Sequence, residues 1–171
     1  MYTRSPAGKE QYFRVCEIEF YLNCVGHTDT FTHGDTLQKQ NAKWYFHKMG
    51  NAYKSGSYKG LDVTFGKDGA IGGILLRALM PVNVAVSNGT YTVSGGSKDL
   101  FIEGPCNCVN RILEETTGDK GIKELVDMKE FSLDAFDEKS NFHLICTGVQ
   151  MQQREIVKNP RVGLTLNKLD E

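Results

Sequence analysis

An apolar stretch that carries a single arginine constrains this fold more than any other feature of the sequence. Residues 71–81 are apolar or glycine at every position except Arg77, which lies between Leu76 and Ala78. A run this short cannot cross a membrane as a helix, and its composition is typical of a buried β-strand. A buried guanidinium is costly unless it is paired. Arg77 therefore either reaches solvent at a strand end or pairs with a carboxylate.

Two glutamates on an earlier predicted strand are the candidate partners of this arginine. Residues 10–23 are rich in β-favouring side chains interrupted by charges, a pattern typical of a strand. Glu17 and Glu19 are two positions apart, so we expect their side chains on the same side of that strand. Two carboxylates on one strand face are often plain solvent-facing residues, and that interpretation stays open beside pairing.

The rest of the pattern predicts an α+β domain whose strands are mostly antiparallel. Asn88-Gly89 between two β-favouring runs is a strong hairpin signal, because both residues accept positive φ. Residues 42–49 suit either a short helical turn or a strand. Helices are predicted at residues 106–115 and 122–128, with Pro105 tolerated at the start of the first. The further predicted strands are residues 61–65, 82–86, 90–93, 142–149 and 161–166. The length of 171 residues fits one domain, residues 1–171.

The charge of the chain is unevenly distributed. The formal net charge is −1, whereas dedicated nucleic-acid binders are usually basic. Residues 36–61 nevertheless contain five lysines and no carboxylate, and residues 103–139 contain ten carboxylates against five basic residues. This asymmetry suits a molecule that presents one face to phosphates, although blocks of like charge are often only solvated.

Cysteine and histidine usage indicates an intracellular protein without a metal site. The five cysteines are an odd number and form no Cys-x-x-Cys pair, so we expect reduced thiols. No basic and then apolar leader opens the sequence, which predicts the nucleus in a eukaryote and otherwise the cytoplasm. His47 and His143 lie in apolar company and predict core or edge histidines. We expect no metal and no cofactor.

Several segments, taken in order over about residues 14–166, resemble the alkyladenine (3-methyladenine) DNA glycosylase family. Each motif is weak alone, and their shared order is considerably more specific. The segments are Glu-x-Glu-x-Tyr-Leu at 17–22, a histidine-containing loop, a lysine- and tyrosine-rich stretch at 50–60, Leu-Leu-Arg-Ala-Leu-x-Pro at 75–81, Gly-Pro-Cys-Asn at 104–107 and Asn-Pro-Arg-Val-Gly at 159–163. The resemblance implies a single glycosylase-like domain built on a curved sheet or open barrel with a few flanking helices.

The resemblance also implies roles for individual residues. Glu19 would be the general base on the attacking water, a task that suits a carboxylate because it also stabilises an oxocarbenium ion. Arg77 and the backbone carbonyl of Val162 would help to hold that water. Tyr21 would stack on the extruded base. His33 would line the pocket and donate a hydrogen bond, with His27 as the alternative.

The stretch 53–64 departs from the family pattern. Tyr58 is the candidate for the side chain that fills the gap left by the extruded base, and Lys54 and Lys59 are candidate DNA-binding residues. Where the family has a stacking tyrosine, this chain has Lys54 with Tyr53 nearby. In place of a pocket asparagine it has Thr64, and we treat Tyr53 and Thr64 as substrate-binding candidates. A further ionisable group occurs at position 62: this aspartate is either part of the pocket or a solvent-facing strand residue.

Taken together, these features predict a monofunctional glycosylase that hydrolyses the N-glycosidic bond of a flipped-out alkylated or deaminated purine. No lysine stands in the catalytic motif to form a Schiff base. The expected partner is double-stranded DNA with a damaged purine, with no membrane involved, and the protein is expected to be a monomer. Two alternatives stay open: a non-catalytic module that binds purines or damaged DNA, and a hydrolase of small nucleosides or nucleotides.

Overall fold

Two long antiparallel strands form the centre of the sheet in the computed structural model, which describes residues 1–96, 100–147 and 156–161. β2 (Glu10–Asn23) pairs with β7 (Ile71–Ser87) along most of its length. The other strands of this sheet are β1 (Tyr2–Arg4), β3 (Asn41–Phe46), β6 (Leu61–Phe65), β8 (Thr90–Ser94), β9 (Ile102–Glu103) and β10 (Phe142–His143). The main order is β10-β1-β2-β7-β6-β3, with β8 and β9 also paired to β7.

Every strand pair in the described part of the chain is antiparallel, including the small hairpin of β4 (Lys48–Met49) and β5 (Ala52–Tyr53). The helices are α1 (Pro105–Thr117) and α2 (Ile122–Val126), and short 3-10 turns occupy Thr36–Lys39 and Gly56–Tyr58. The predicted α+β class with a curled, mostly antiparallel sheet is therefore confirmed.

The core lies between the sheet and the two helices. α1 buries the face predicted from the sequence, formed by Cys108, Ile112 and Leu113. On the sheet side, the ring of Trp44 stacks on that of Phe142 with centroids 4.3 Å apart.

A pair of irregularities in the central ladder sets the direction of the site side chains. The register runs from Val15 opposite Leu79 to Glu17 opposite Ala78, and then to Ile18 opposite Leu76. β2 therefore has one extra residue at Cys16, and β7 has one at Arg77. Such bulges re-aim side chains and are common beside functional sites. The carbonyl of Arg77 instead accepts a hydrogen bond of 2.8 Å from the N–H of Gly104, at the start of α1.

Several predicted boundaries were wrong. β7 continues to Ser87 instead of ending near Pro81, because Phe13 opposite Pro81 directs its N–H and C=O to Met1 and requires no donor from the proline. Of the two alternatives for residues 42–49, the strand is confirmed, since this segment contributes to β3 and β4, which pair with β6 and β5. Within the described part of the predicted strand 142–149, which ends at residue 147, only Phe142–His143 forms a strand. Arg161 is not in a strand, and residues 162–166 lie outside the described residues. The Asn88-Gly89 hairpin is confirmed, with φ of 50° and 72°.

Candidate active site

A buried carboxylate bound to an arginine forms the centre of the site. Glu19 is only 4% exposed, and its Oε2 accepts a hydrogen bond of 2.6 Å from Nη1 of Arg77. Nε of the same guanidinium donates to Oε1 of Glu17 at 2.9 Å. Partial burial lowers the pKa of Arg77, but the hydrogen bonds to Glu19 and Glu17 outweigh it and hold that pKa above its ordinary value. Arg77 is thus paired with both glutamates, and the solvent-facing interpretation of Glu19 was wrong.

The second oxygen of Glu19 is held by a tyrosine. The hydroxyl of Tyr21 donates to Oε1 of Glu19 at 2.7 Å. Burial, and then the hydrogen bond to Glu19 and its charge, raise the pKa of Tyr21, so this phenol keeps its proton. Each carboxylate oxygen has two acceptor sites, and each has one partner among the described residues. Glu19 is therefore fixed in place and can still accept a hydrogen bond from a water molecule.

Arg161, which comes late in the chain, packs beside Tyr21 and pairs with Asp29. Nη1 and Nη2 of Arg161 donate to the two carboxylate oxygens of Asp29 at 2.6 and 3.2 Å. The hydrogen bonds that Arg161 donates to Asp29 raise the pKa of Arg161 above its ordinary value. Its guanidinium also lies over the rings of Tyr21 and Phe31, at 4.8 and 5.6 Å from their centroids. The planar fork of arginine suits both contacts at once.

Two concave regions adjoin the hydrogen-bonded pair of Glu19 and Tyr21, one lined by Glu19 and the other by Tyr21. One is a cleft of about 660 Å³ whose lining includes Glu17, Glu19, Arg77 and Arg161. The other is a cavity of about 300 Å³, which we call the polar cavity; it is lined by Tyr21, Phe31, His33, Gln38, His47, Lys54 and Asp62. Its size is at the lower end of the range for small-molecule pockets. The predicted alternative His27 lines the cleft, whereas His33 lines the polar cavity.

Asp62 anchors one wall of the polar cavity. It is 2% exposed, so the solvent-facing interpretation of this strand residue was wrong. Its Oδ1 contacts Nε2 of His47 at 2.8 Å, and its Oδ2 accepts a hydrogen bond of 3.2 Å from Nε2 of Gln38. Gly73 on β7 makes room for this carboxylate, since a Cβ there would lie 2.4 Å from Oδ2. His47 and Gln38 thus join the site, although sequence reasoning assigned neither to it.

Replacing Asp62 by Asn should lower the free energy of unfolding by about 1–3 kcal/mol, because an amide cannot accept from both buried partners as the carboxylate does. Urea denaturation measures the change. The matched control is Asp68→Asn in an exposed turn, where we expect a change within about 0.5 kcal/mol. An equal loss in the two variants would contradict a buried hydrogen-bonding role for Asp62.

His33 and Lys54 form the opposite, more open part of the polar cavity. Nδ1 of His33 lies 3.1 Å from the hydroxyl of Tyr45, and Nε2 lies 3.3 Å from Nζ of Lys54. The residue is exposed as a whole, but its ring packs on the ring of His47 at 4.3 Å between centroids. Burial of the ring, followed by the charges of His47 and Lys54, lowers the pKa of His33 to about 4.

This lowered pKa predicts a pH dependence of stability. The folded protein binds the His33 proton only near pH 4, whereas an unfolded histidine binds it near ~6.5. Stability should therefore fall as the pH falls from about 6.5 towards 4, because the unfolded chain gains a proton first. Thermal unfolding of wild type and His33→Gln at pH 7 and pH 5 measures this, and the variant should lose less stability on acidification. An identical loss in both proteins would show that His33 does not contribute.

Two predicted substrate-binding residues lie outside the polar cavity. Thr64 is 1% exposed, and its hydroxyl accepts a hydrogen bond of 2.9 Å from the N–H of Lys43. Tyr53 packs edge-on against Phe46 and lines a separate cleft beside α2. Neither side chain lines the polar cavity that contains Tyr21, and their expected contact with a substrate stays a prediction.

Tyr58 and its neighbours occupy the exposed 3-10 turn. Tyr58 is 77% exposed, as a side chain that inserts into DNA must be before binding. Cys106 Sγ to the Gly56 carbonyl at 3.0 Å and Lys59 Nζ to Asn110 Oδ1 at 2.5 Å hold the turn against α1. The wedge role of Tyr58 and the DNA contacts of Lys54 and Lys59 stay predictions. Val162 lies outside the described residues.

The residues that sequence reasoning missed are Asp29, Phe31, Gln38 and His47. Asp29 had a usable signal, since a carboxylate in the loop after the catalytic strand could pair with an arginine late in the chain. Among the described residues, no three His, Cys, Asp or Glu side chains converge in a way that could hold a metal ion. Within the same residues, no helix has the length and apolar character needed to cross a membrane.

Comparisons with known proteins agree with the resemblance seen in the sequence. The family model for methylpurine-DNA glycosylase matches residues 1–169. An uncharacterized protein of Acanthamoeba polyphaga mimivirus is 34% identical over 167 residues, which cover 90% of this chain and 69% of that protein. No solved structure matches the chain significantly.

Proposed function

This chain belongs to the methylpurine-DNA glycosylase family, and we propose that it is an active enzyme that hydrolyses the N-glycosidic bond of a damaged purine in DNA. The family places it among the DNA glycosylases of base excision repair. Enzymes that act on a base within duplex DNA must first rotate the nucleotide out of the stack. The proposed substrate is an alkylated or deaminated purine in that flipped position.

The geometry of Glu19 is the single observation that carries the proposal. A buried carboxylate held by Arg77 and Tyr21, with one acceptor site on each oxygen not used by any described residue, suits a general base fixed in one orientation. Glu19 lines the cleft, and Tyr21, which hydrogen-bonds to it, lines the polar cavity. A nucleotide with its sugar at Glu19 and its base beyond Tyr21 would place the glycosidic bond between the two regions.

The proposed reaction is a hydrolysis without a covalent enzyme intermediate. The bond between the anomeric carbon and the base nitrogen breaks, and its electron pair leaves with the base. A water oxygen bonds to the anomeric carbon, and Glu19 takes the proton of that water. The charge of Glu19 also stabilises the oxocarbenium character of the sugar in the transition state. Arg77 keeps the carboxylate oriented throughout.

Other features support DNA as the substrate. The rings of Tyr21 and Phe31 line the polar cavity and can face a planar base. The exposed Tyr58 is available to fill the gap in the stack. The basic stretch 36–61 supplies lysines for phosphates, although Lys43 is already paired with Asp134 at 3.0 Å.

Excision from defined duplexes tests the proposal. Purified protein is incubated with oligonucleotides that each carry one hypoxanthine, ethenoadenine, 3-methyladenine or 7-methylguanine, and alkali then cleaves the abasic product. We expect strand cleavage for at least one lesion with wild type, and none above background with Glu19→Gln. Equal cleavage by both proteins, or none by wild type, contradicts the proposal.

A non-catalytic binding module is the second candidate. It is favoured by Lys54, which replaces the stacking tyrosine, and by the net charge of −1. The same duplexes distinguish it, because a binding module retains saturable, salt-sensitive binding to a lesion without producing abasic sites. Hydrolysis of free nucleosides without action on DNA would instead indicate the small-molecule hydrolase.

A further inference from the structure

Lys54 is fixed at the wall of the polar cavity rather than free on the surface. Its backbone N–H donates to the carbonyl of His47 at 2.8 Å, and the N–H of His47 donates to the carbonyl of Gly60 at 2.9 Å. The side chain is half-buried, and its ammonium group contacts Nε2 of His33 at 3.3 Å. Backbone and side chain together therefore hold a cation where the base would lie.

The hydrogen bonds of His33 and Lys54 leave this ammonium group with donors available to a ligand. An ammonium group only donates, so Nε2 of His33 accepts from Lys54, and Nδ1 carries the ring proton and donates to Tyr45. His33 thus has no donor left for a base, contrary to the role expected from the sequence. Lys54 keeps two of its three N–H groups, and no ion pair among the described residues involves it.

We propose that Lys54 is the specificity-determining residue of the site, and that it directs the enzyme to uncharged purines with a carbonyl acceptor and against cationic alkylated purines. Hypoxanthine is an example of the first class and 7-methylguanine of the second. This inference rests on the proposed function. It follows from the two free N–H groups, which match an acceptor on the base, and from the positive charge, which repels a cationic ring.

The chemistry of the leaving group acts in the same direction. When the glycosidic bond of an uncharged purine breaks, the base keeps the electron pair of that bond. It therefore departs as an anion, which later takes a proton from solvent. A cationic purine leaves as a neutral molecule. A fixed ammonium group stabilises the developing negative charge of the first and gives no such help to the second. Lys54 therefore acts on both binding and departure of an uncharged base.

The carboxylate in the polar cavity does not supply an equivalent site for a cation. Asp62 is the carboxylate among the residues that line this cavity. It is only 2% exposed, and each of its oxygens already has one partner, His47 or Gln38, so it presents little surface to a ligand. Direct contact with a ligand consequently falls to Lys54, which is more accessible and has unengaged donors.

The test compares two lesions in otherwise identical duplexes, one with hypoxanthine and one with 7-methylguanine, under single-turnover conditions. Lys54→Gln should lower the ratio of the hypoxanthine rate to the 7-methylguanine rate by about 10- to 100-fold, the range for a hydrogen bond to a charged group. Lys54→Arg should keep most of the wild-type ratio because it keeps the charge. Lys67→Gln in an exposed turn is the matched control, and both of its rates should equal those of wild type.

A merely structural role for Lys54 would lower both rates equally and leave the ratio unchanged, which would overturn the inference. The proposed function fails only if wild type cleaves none of the four lesions named above; if it cleaves neither of these two, the inference is tested by binding. The dissociation constants of wild type and Lys54→Gln for the two duplexes are then compared. A relative preference for hypoxanthine that depends on Lys54 supports the inference, and equal preferences in the two proteins overturn it.

Discussion

Replacing Glu19 by Gln should lower the single-turnover rate of base excision by about 10²- to 10⁴-fold, the usual contribution of a positioned general base. Glutamine matches glutamate in size, so it can keep the contacts to Arg77 and Tyr21 while losing the ability to take a proton from water. The measurement is the rate of abasic-site formation on the lesion that wild type cleaves fastest. Binding of the same duplex should change far less, because the change acts on the chemical step.

Glu17→Gln is the matched control for this prediction. Glu17 is two residues away, hydrogen-bonds to the same guanidinium and lines the same cleft, but its side chain is 44% exposed. We expect its replacement to change the excision rate by less than about tenfold, since it affects only the orientation of Arg77. A loss in Glu17→Gln as large as that in Glu19→Gln would show that Glu19 is not the base.

Replacing Arg77 by Met should lower the free energy of unfolding by about 3–5 kcal/mol, because it leaves the carboxylate of Glu19 buried without its cation. Methionine roughly fills the space of the arginine stem, which limits the part of the loss that a cavity would cause. Urea denaturation of both proteins at pH 7 measures the difference. The midpoint should shift while the slope stays constant if the folded state keeps its compactness.

The double variant Glu19→Gln/Arg77→Met isolates the pairing. With the carboxylate removed, loss of the guanidinium should cost much less than it does in the single variant, so the two effects should not add. Additive losses within about 0.5 kcal/mol would indicate that the contact of 2.6 Å contributes little to folding. The same variants separate stability from catalysis, since Glu19→Gln alone should be inactive yet nearly as stable as wild type.

The central strands and the pairing of Arg77 with a carboxylate could be predicted from the sequence for a simple reason. Burial has a period of two along a strand, and a charge within an apolar run requires a partner, so Glu17 and Glu19 were identifiable as candidate partners of Arg77 from local patterns. The choice of Glu19 as the candidate base came from the family resemblance. The bulges at Cys16 and Arg77 were not, although they re-aim the two side chains towards each other. A bulge depends on how two strands align, and neither strand alone contains that information.

The polar cavity is where sequence reasoning was least successful. From the sequence, a solvent-facing strand residue was one interpretation of Asp62, and His47 was expected to be a core or edge histidine. In the structure, these two side chains contact each other at 2.8 Å on the cavity wall. Thr64 shares the strand of Asp62 and lies against the backbone of β3 instead. Correspondence with the family, assigned by position, pointed to Thr64. It could not show that Asp62, two positions earlier, supplies the polar group of the cavity.

By itself, the sequence determined the family, the central strands and the need of Arg77 for a carboxylate, because these depend on motif order, residue periodicity and the cost of burying a charge. Only the tertiary structure decided the lining of the polar cavity. Gln38 lies in a 3-10 turn and Asp62 in β6, whereas His47 lies between β3 and β4 and Lys54 directly follows β5, and the pairing of β3, β6 and β7 brings them together. Periodicity fixes the face on which a side chain lies, whereas strand register and sheet curvature fix which distant residues it meets.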